Sequence, residues 1–532
     1  MDISEFDYVV VGSGSAGSVM GGRLSENPGT SVAVLEAGEE TSQWYVKVPL
    51  AVILMIPSKL NNWAFDTVPQ KALNGRVGYQ PRGKGLGGST AINGMVYIRG
   101  HRWDYDHWAS LGNERWSHDD VLPYFIRSEN NESIDNEYHG KGGPLNIADW
   151  RTDNPLHHIY IEAMQKAGVP LNTDFNGATQ DGVGLLQLTM KNGERWSAAR
   201  AFLLPHIGVR KNLKVMTGAL VRRVLFEGKR AIGVEFERGG KVQRVMARNE
   251  VILSAGAIQS PHLLMLSGVG PADHLREHDI PVVHDLPGVG QNFQDHPDVA
   301  LVYRTKSADA YGISFKAAWR LLREVFRYRK TRRGMVASNI AESGAFIKTD
   351  PDLPAPDIQT GFLAAILDNH GRTMHRGHGY SSHVILLRPK SRGKISLKSA
   401  DPRVPPDIDP AFLEHPDDVE VMLKGFKMVR ELDKAPGLAE IRGEEIFTAD
   451  ARTDDEIREN LRQRVDTIYH PVGTCKMGSD AMAVVDNKLR VHGIEGLRVV
   501  DASIMPTIVG GNTSAPTMMI AEKASDMILR AQ

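Results

Sequence analysis

The sequence predicts a mixed α/β fold with at least two domains. The chain has 532 residues, which is too long for one simple core. Near its start, two β-type apolar runs enclose a glycine-rich turn and a helical pattern. Residues 213–254 hold four more β-rich runs, as in a meander of antiparallel strands. These observations favour a Rossmann-like unit that shares the chain with a second domain.

The N-terminal segment carries a dinucleotide-binding pattern. Residues 6–11, FDYVVV, predict a strand, and SVMGGRLSE after the turn predicts a helix. The glycines that complete G-x-G-x-x-G between them are Gly12, Gly14 and Gly17. Such glycines permit a tight turn, close approach of a pyrophosphate to the helix N-terminus, and close packing of helix on strand. A second strand, residues 31–38, contains Glu36, whose carboxylate suits a ribose diol. The alternative is an ordinary glycine-rich β–α turn.

Composition excludes several other classes of protein. Hydrophobic residues make up 41% and charged residues 24%, and the net charge of −1 gives no indication of nucleic-acid binding. A single cysteine excludes an internal disulfide and a cysteine-rich metal site, and it fits a reducing compartment. The first residues lack the features of a signal peptide, and the longest obvious apolar run, residues 50–56, is too short to span a bilayer. We therefore expect a cytoplasmic protein without a transmembrane helix.

Three further stretches have the composition of a ligand-binding wall. Residues 81–100, PRGKGLGGSTAINGMVYIRG, supply glycines that allow close backbone approach, together with small hydroxyl groups. Residues 254–270 predict a strand end, a glycine turn and a short helix. Residues 497–528 predict a strand, a loop and a helix that opens near Thr513, with Pro516 early in its first turn.

These motifs, with YHPVGTCKMG near the C-terminus, resemble those of the glucose–methanol–choline (GMC) oxidoreductases, which are FAD-dependent alcohol oxidases and dehydrogenases. The resemblance covers essentially the whole chain. It implies a Rossmann-like FAD domain assembled from discontinuous segments and a substrate domain with an antiparallel sheet. The implied division is residues 1–300 for the FAD domain with its covering loop, residues 301–464 for the substrate domain, and residues 465–532 for a return to the FAD domain.

The resemblance also implies which residues contact FAD. By position, the glycine fingerprint would hold the pyrophosphate, Glu36 the ribose, and the backbone of Val221 the adenine. The full set of implied FAD contacts is Gly12, Ser13, Gly14, Ala16, Gly17, Glu36, Ala37, Gly87, Gly88, Asn93, Met95, Val221, Asp501, Ala502 and Thr513. Some relatives bond the flavin to a histidine just before the signature asparagine. Because that position is Ile92 here, we expect noncovalent FAD.

Residues 468–479, IYHPVGTCKMGS, contain the candidate catalytic base. His470 could be a turn residue, a metal ligand with Cys475, or a base. No cluster of further ligands surrounds the pair in the sequence, so we predict no metal site and interpret Cys475 as a packing residue. The resemblance implies that His470 is the base and that Asn512 donates to the substrate oxygen. We assign His296 a structural or cofactor-adjacent role, and His101 to loop structure.

The sequence thus predicts FAD-dependent oxidation of a primary alcohol to the aldehyde, with electrons passed to a quinone or another acceptor. Choline, a sugar or a polyol are alternative substrates, and oxygen is an alternative acceptor. A flavin-containing hydroxynitrile lyase is the alternative from another reaction class. Sequence spacing does not show whether aromatic faces or a carboxylate converge on a choline site.

Residues 314–333, SFKAAWRLLREVFRYRKTRR, predict a basic amphipathic helix. Its apolar residues at helical spacing are Phe315, Trp319, Leu322, Val325 and Phe326. One interpretation is a surface helix that packs this apolar face on the substrate domain. The other is a peripheral contact with an anionic membrane surface, on the inner face of the cytoplasmic membrane.

Overall fold

The computed structural model describes residues 3–530 as a mixed α/β protein with two large sheets. The strands are β1 (Ile3–Val11), β2 (Val32–Leu35), β3 (Phe65–Asp66), β4 (Tyr79–Gln80), β5 (Glu129–Asn131), β6 (Leu145–Ile147), β7 (Gly182–Leu185), β8 (Met190–Lys191), β9 (Glu194–Arg195), β10 (Leu213–Met216), β11 (Leu220–Glu227), β12 (Arg230–Arg238), β13 (Lys241–Leu253), β14 (Val269–Gly270), β15 (His284–Asp285), β16 (Pro297–Arg304), β17 (Gly312–Ile313), β18 (Ser343–Ile347), β19 (Ile358–Leu363), β20 (Gly377–Leu386), β21 (Lys394–Ser396), β22 (Asp407–Asp409), β23 (Glu445–Ile446), β24 (Asp466–Thr467) and β25 (Leu497–Val499). The α-helices are α1 (Ser15–Leu24), α2 (Trp44–Lys47), α3 (Val52–Met55), α4 (Arg102–Ser110), α5 (His118–Ser128), α6 (Pro155–Lys166), α7 (Gly256–Leu266), α8 (Ala272–Glu277), α9 (Phe315–Thr331), α10 (Pro416–Leu432), α11 (Leu438–Ile441), α12 (Asp454–Arg464) and α13 (Ser514–Leu529).

The first sheet has the strand order β10-β2-β1-β13-β12-β11, and β25 also pairs with β13. Strands β10, β2, β1, β13 and β25 run parallel, whereas β11, β12 and β13 form the antiparallel meander that the sequence predicts. Parallel strands are covered on both faces, which explains their uninterrupted apolar runs. Val9 and Val10 of β1 are fully buried, and all four residues of β2 are buried.

The start of the chain folds as the fingerprint predicts, with β1, the glycine turn, α1 and β2 in succession. A Cβ atom on Gly17 would lie 1.8 Å from the carbonyl oxygen of Gly12. No side chain fits at that separation, so Gly17 is the residue that lets α1 pack against the end of β1. The predicted strand–helix stretch near residue 254 is also confirmed as β13 followed by α7.

The C-terminus returns to this first sheet. Strand β25 pairs with β13, and helix α13 lies against α1 and α5. The Arg23 guanidinium on α1 is 2.7 Å from the buried carboxylate of Glu522 on α13. One hydrophobic core is therefore built from both ends of the chain, as the resemblance implied.

The second sheet is antiparallel, with the order β23-β16-β20-β19-β18-β7, and β17 and β24 pair with β20 and β16. Helices α6, α10 and α12 contribute to its separate core. Strand β7 and helix α6 come from within residues 1–300, and the apolar residues of β21 and β22 pack in the first core. The division at residues 300 and 464 remains a prediction, and these segments cross it.

Residues 315–331 form a helix, α9, as predicted; of its five apolar residues Val325 packs in a small core, and for the other four the interpretation of packing on the substrate domain is wrong. Phe315, Trp319, Leu322 and Phe326 are 81%, 62%, 50% and 63% exposed. The buried residues of α9 are instead Glu324 and Tyr328. The helix therefore turns its apolar stripe toward solvent.

Across residues 3–530, none of the helices combines the length and the apolar character that a bilayer span requires.

Candidate active site

A cavity of about 420 Å³ brings the predicted motifs together. Its wall includes residues from the fingerprint, from the glycine-rich loop at residues 81–100, from the start of α7 and from the start of α13. Gln359 and His383 of the second sheet also line it. The cavity thus lies between the two sheets, and both cores contribute to its wall.

Three helix N-termini open onto this cavity, those of α1, α7 and α13. The N-cap residues of the three helices form no side-chain cap, and the first N–H groups of α1 and α13 are free to bind an anion, whereas the Gly256 N–H of α7 donates to Asp501. A Cβ added to Gly256 would meet nothing within 4 Å, and one added to Gly14 would meet only the Cα of Gly88, at 3.9 Å. The backbone here is accessible from the cavity, as binding of a pyrophosphate requires.

Buried polar atoms without a partner also line the cavity. Within residues 3–530, Ser254 Oγ, Ser514 Oγ and Asn512 Oδ1 have no hydrogen-bond partner. Buried polar atoms are normally satisfied, so these atoms indicate a polar ligand. Free helix N-termini, accessible glycines and unsatisfied polar atoms together fit the FAD that the resemblance implies.

The Glu36 carboxylate is held by the two glycine-rich loops. Oε2 accepts from the N–H and the hydroxyl of Ser13 at 3.0 and 2.7 Å, and Oε1 accepts from the N–H groups of Gly38 and Gly85 at 2.9 and 3.0 Å. Four donors occupy most of the acceptor capacity of a carboxylate. Glu36 therefore ties the fingerprint to the loop at residues 81–100, and it also lines the cavity.

Most residues predicted to contact FAD line the cavity, but three do not. Those in the wall are Gly12, Gly14, Ala16, Glu36, Ala37, Gly88, Asn93, Met95, Val221, Asp501, Ala502 and Thr513. Outside the wall, Gly17 packs on Gly12, and the Gly87 N–H donates to the Ser13 carbonyl at 2.9 Å. Ser13, Gly17 and Gly87 thus shape the two loops from behind. Ile92 and Trp63 also lie in the wall.

Asp501 organises the start of α7. Its carboxylate accepts from the Gly256 N–H at 2.8 Å, from the Ser260 hydroxyl at 2.5 Å, and from the N–H and hydroxyl of Ser503 at 2.8 and 2.6 Å. Burial raises the pKa of this carboxyl, and the surrounding hydrogen bonds oppose that rise. The contact joins the C-terminal segment to α7 at the floor of the cavity.

The two predicted catalytic side chains meet in the cavity. Asn512 Nδ2 is 3.0 Å from His470 Nε2. On its other side, His470 Nδ1 is 2.9 Å from Nδ1 of His296, whose Nε2 is 3.0 Å from the carbonyl oxygen of Leu387. These contacts form one hydrogen-bonded chain from the backbone to the cavity.

The chain of contacts fixes the protonation of both rings. A carbonyl only accepts, so His296 Nε2 carries a proton, and Nδ1 of the neutral ring is then an acceptor. Nδ1 of His470 must donate to that acceptor, which leaves His470 Nε2 with a free lone pair. The Asn512 amide donates to this lone pair, so His470 presents a base toward the cavity.

Burial favours the neutral form of both rings. His296 is fully buried and His470 is 8% exposed. Burial lowers the pKa of His470 well below its ordinary value, and the neighbouring His296 and Arg82 lower it further. Burial also lowers the pKa of His296 to about 3.

The backbone around His470 is fixed from two sides. The Asp295 carboxylate accepts from the His470 N–H at 2.8 Å and from the Thr467 hydroxyl at 2.6 Å, and burial raises the pKa of this carboxyl to about 6. The Arg82 guanidinium donates to the Tyr469 carbonyl at 2.7 Å. Tyr469 itself has a φ of 74°, a left-handed conformation that costs a non-glycine residue about 1 kcal/mol or more. These anchors hold the residue before the base in a strained conformation.

Two contributors to the site have contacts that the sequence did not predict. His296, assigned a structural or cofactor-adjacent role, contacts His470 directly. Arg195 is fully buried, donates to the Asn93 side chain at 2.7 Å, and has its pKa lowered by burial to about 9. His296 had a signal in the stretch GVGQNFQDHP, but its partner lies 174 residues away. For Arg195 we find no sequence signal.

Cys475 and His101 both lie outside the cavity wall. Cys475 is fully buried in the first core, in agreement with a packing role. His101 caps the N-terminus of α4, where its ring accepts from the Trp103 N–H and the Asp104 carboxylate accepts from the His101 N–H. In the part of the chain that the structure describes, no three histidine, cysteine or acidic side chains are grouped so as to hold a metal ion.

The histidine end of the cavity has a mixed wall. Its apolar side chains are Ile340, Leu363, Leu367, Ile385 and Ile468, and its polar ones include Asn339, Gln359, His370, His383 and Tyr469. Among the residues described, the carboxylates in the cavity wall are Glu36 and Asp501, and both belong to the glycine-rich end. Asp298 lies behind this wall, where its carboxylate is 2.6 Å from Nδ1 of His383.

Comparison with protein families gives two matches. The models for the N-terminal and C-terminal parts of the GMC oxidoreductases match residues 6–298 and 389–521. An alcohol dehydrogenase [acceptor] from Pseudomonas putida is 47% identical over 529 residues, which is 99% of this chain and 96% of that protein. The mitochondrial choline dehydrogenase from Homo sapiens is 44% identical over 539 residues, which is 98% of this chain and 90% of that protein.

Solved structures agree with these matches. Pyridoxine 4-oxidase from Mesorbium loti has a TM-score of 0.89 and 32% identity, and the match covers 99% of each chain. A formate oxidase variant from Aspergillus oryzae has a TM-score of 0.93 and 28% identity, with coverage of 100% of this chain and 99% of that one.

Proposed function

This chain belongs to the GMC oxidoreductase family, and on that premise we propose that it oxidises an uncharged primary alcohol to the aldehyde, with His470 as the base. The chain is an FAD-dependent oxidoreductase that acts on CH–OH groups of a small molecule and passes the electrons to an acceptor. The roles of the individual residues, the class of alcohol and the identity of the electron acceptor are our proposals.

His470 would remove the hydroxyl proton. Its Nε2 lone pair faces the cavity, where the Asn512 amide already donates to it at 3.0 Å. An alcohol hydroxyl that enters between the two side chains would donate its proton to Nε2 and accept from the amide, which favours alkoxide character on the oxygen. The bound FAD supplies an acceptor for the hydride of the carbinol carbon. The contact between Asn512 Nδ2 and His470 Nε2 is the observation on which this proposal rests.

The cofactor residues proposed are those in the cavity wall. Free N–H groups at the start of α1 would bind the pyrophosphate, and Glu36 would face the ribose. The N-terminus of α13 would favour negative charge on the flavin. Because Ile92 cannot form the histidyl bond, binding would be noncovalent.

The position of the carboxylates in the described wall favours an aliphatic alcohol over choline. A quaternary ammonium is bound by a carboxylate or by aromatic faces, and at the histidine end Tyr469 offers an aromatic ring without an acidic neighbour in the described wall. In the described residues of this wall the carboxylates lie at the other end, and Asp298 already contacts His383. Choline is kept as the second candidate because several relatives are choline dehydrogenases.

A substrate panel tests this choice. Turnover with an artificial electron acceptor should be highest for primary aliphatic alcohols, with kcat/KM rising with chain length until the apolar wall is filled. Choline at the same concentration should be a poor substrate. Higher kcat/KM for choline than for every aliphatic alcohol would reject the proposed substrate class.

The acceptor proposed is a quinone, which would place the protein at the inner face of the cytoplasmic membrane. Under anaerobic conditions, the alcohol should bleach the flavin and a quinone should restore its colour. Absence of bleaching would favour the lyase alternative, in which no electrons reach the flavin. Rapid recolouring by oxygen with formation of peroxide would instead identify an oxidase.

A further inference from the structure

Helix α9 has its apolar stripe on the outside. Phe315, Trp319, Leu322 and Phe326 follow the i, i+4, i+7, i+11 spacing of one helix face, and each is at least half exposed. A surface helix ordinarily buries such a face on its own protein. The exposed stripe on α9 therefore indicates a site of interaction with something outside this protein.

The inner side of α9 is well anchored, so the outward stripe is a property of the fold. The Tyr328 hydroxyl donates to the Gly193 carbonyl at 2.9 Å, and Glu324 accepts from the Met335 N–H at 3.1 Å. Tyr328 and Val325 pack in a small core with Leu50 and Ile340. Rotation of the helix to bury the stripe would break these contacts.

The same helix presents unpaired positive charge. Arg320, Arg327 and Arg332 form ion pairs with Asp309, Asp153 and Glu194. Within residues 3–530, the basic residues of this segment that form no ion pair are Lys316, Arg323, Arg329, Lys330 and Arg333. All five are exposed. They flank the apolar stripe with positive charge.

We propose that α9 docks on an anionic lipid surface, with its apolar stripe in the outer acyl region and its free cations at the headgroups. The proposal rests on the membrane location given above and names the surface responsible. An apolar stripe flanked by lysine and arginine has the composition of helices that lie in a membrane interface. Large exposed rings such as Trp319 and Phe326 suit that position.

A second copy of this chain suits the apolar stripe less well than an anionic bilayer does. In a two-fold pair the same helix faces itself, because such an interface uses one patch on both subunits. The five unpaired cations would then approach five more of the same sign, which opposes association. An anionic bilayer covers the same apolar residues and neutralises the charges.

Docking through α9 would bring lipid close to the cavity. Ile53 of α3 lines the cavity and is 48% exposed, and its neighbour Leu54 is 46% exposed. The segment before α3 contributes Leu50 to the small core under α9. An apolar alcohol or a quinone dissolved in the bilayer would thus enter near Ile53.

Vesicle sedimentation of the full, FAD-loaded chain tests the proposal. The wild type should sediment with vesicles of phosphatidylcholine and phosphatidylglycerol at low salt and return to the supernatant as salt rises. Each basic residue near an anionic surface strengthens binding roughly fivefold. The variant Arg323→Gln, Arg329→Gln, Lys330→Gln and Arg333→Gln should therefore bind several hundredfold more weakly, by roughly the fourth power of that factor.

A matched control removes the same number of charges elsewhere. Lys166, Lys211, Lys241 and Lys398 are exposed and unpaired within the described residues, and their replacement by glutamine should leave sedimentation unchanged. Replacement of the four stripe residues by serine should also abolish sedimentation. All variants should keep dye-linked turnover, which separates failure of docking from failure of the proposed oxidation.

Three results would overturn the proposal. Wild-type protein that stays in the supernatant at low salt would exclude a lipid partner. Equal binding to pure phosphatidylcholine would exclude the role of the cations. A concentration-dependent dimer in light scattering that the serine variant abolishes would assign the stripe to a second copy of the chain.

Discussion

Nδ1 of His296 lies 2.9 Å from Nδ1 of His470, and the planes of the two rings stand at 88°. Because the other nitrogen of His296 contacts a backbone carbonyl, His296 Nδ1 accepts a hydrogen bond from His470 Nδ1–H, and His470 Nε2 stays unprotonated. A histidine can thus select the tautomer of a neighbouring histidine without touching the substrate.

Removal of this acceptor should slow proton removal. With His296→Leu, His470 can place its proton on either nitrogen, so we expect flavin reduction to fall about ten- to hundredfold, a part of what a general base contributes. His296→Asn keeps an acceptor near the Nδ1 position and should recover much of the loss. Stopped-flow reduction of the flavin by the alcohol measures both variants. Equal rates for the two would assign His296 to packing alone.

Loss of the base itself should cost more. His470→Ala should retain FAD and lower the reduction rate by about 10² to 10⁴, the usual contribution of a positioned base. Asn512→Ala should have a smaller effect, because the amide only donates to the oxygen. The absorbance spectrum of each purified variant checks FAD content. Reduction at the wild-type rate in His470→Ala would remove this residue from the chemistry.

The pH dependence follows from the lowered pKa of His470. A base is active when unprotonated, and burial holds the pKa of His470 well below 6.5. We therefore expect kcat/KM to stay constant from pH 8 down through 6.5 and to fall only in more acidic solution. The profile should be measured where the protein remains folded. A decline centred near pH 6.5 would indicate a solvated histidine as the base.

Buried neutral histidines should also make the fold sensitive to acid. The pKa of His296 is about 3 in the folded chain and about 6.5 when unfolded, so the unfolded state binds the proton first as the pH falls. The resulting loss of stability begins below about pH 6.5 and continues toward pH 3. The thermal midpoint of wild type should fall over this range, and the fall should be shallower for His296→Asn. Thermal midpoints that fall equally with pH in wild type and in His296→Asn would contradict the role of His296 in acid sensitivity.

FAD should separate from the polypeptide on denaturation. Ile92 stands at the position where some relatives carry the linking histidine, and it offers no nucleophile. Acid precipitation should leave yellow FAD in the supernatant and a colourless pellet. Flavin that remains in the pellet would show a covalent bond through another residue, which peptide mapping would identify.

Sequence patterns predicted the structural features that depend on residues close together in the chain. The fingerprint required Gly17 at the crossing of α1 and β1, and the C-terminal pattern placed the start of α13 at Thr513. The roles proposed for His470 and Asn512 came from family motifs, and the structure brings the two side chains together. These features depend on residues that are near in sequence or belong to a recurring motif.

Long-range pairing was beyond the sequence. The contact of His296 with His470 depends on how two distant segments cross, which no spacing encodes. The orientation of α9 was unpredictable for a different reason. Periodicity shows that an apolar stripe exists, but the side on which it is covered depends on anchors such as Tyr328 and Gly193.

Because β25 and α13 pack on the first sheet, that part of the fold is completed late in synthesis. Strand β25 and helix α13 lie within residues 497–529, and His470 precedes β25 by fewer than thirty residues. At roughly 5–20 residues per second, a ribosome needs about half a minute to two minutes to make this chain. During that interval β1, α1 and β2 exist without their final neighbours. The wall of the cavity therefore stays incomplete until Asp501, Asn512 and Thr513 have left the ribosome.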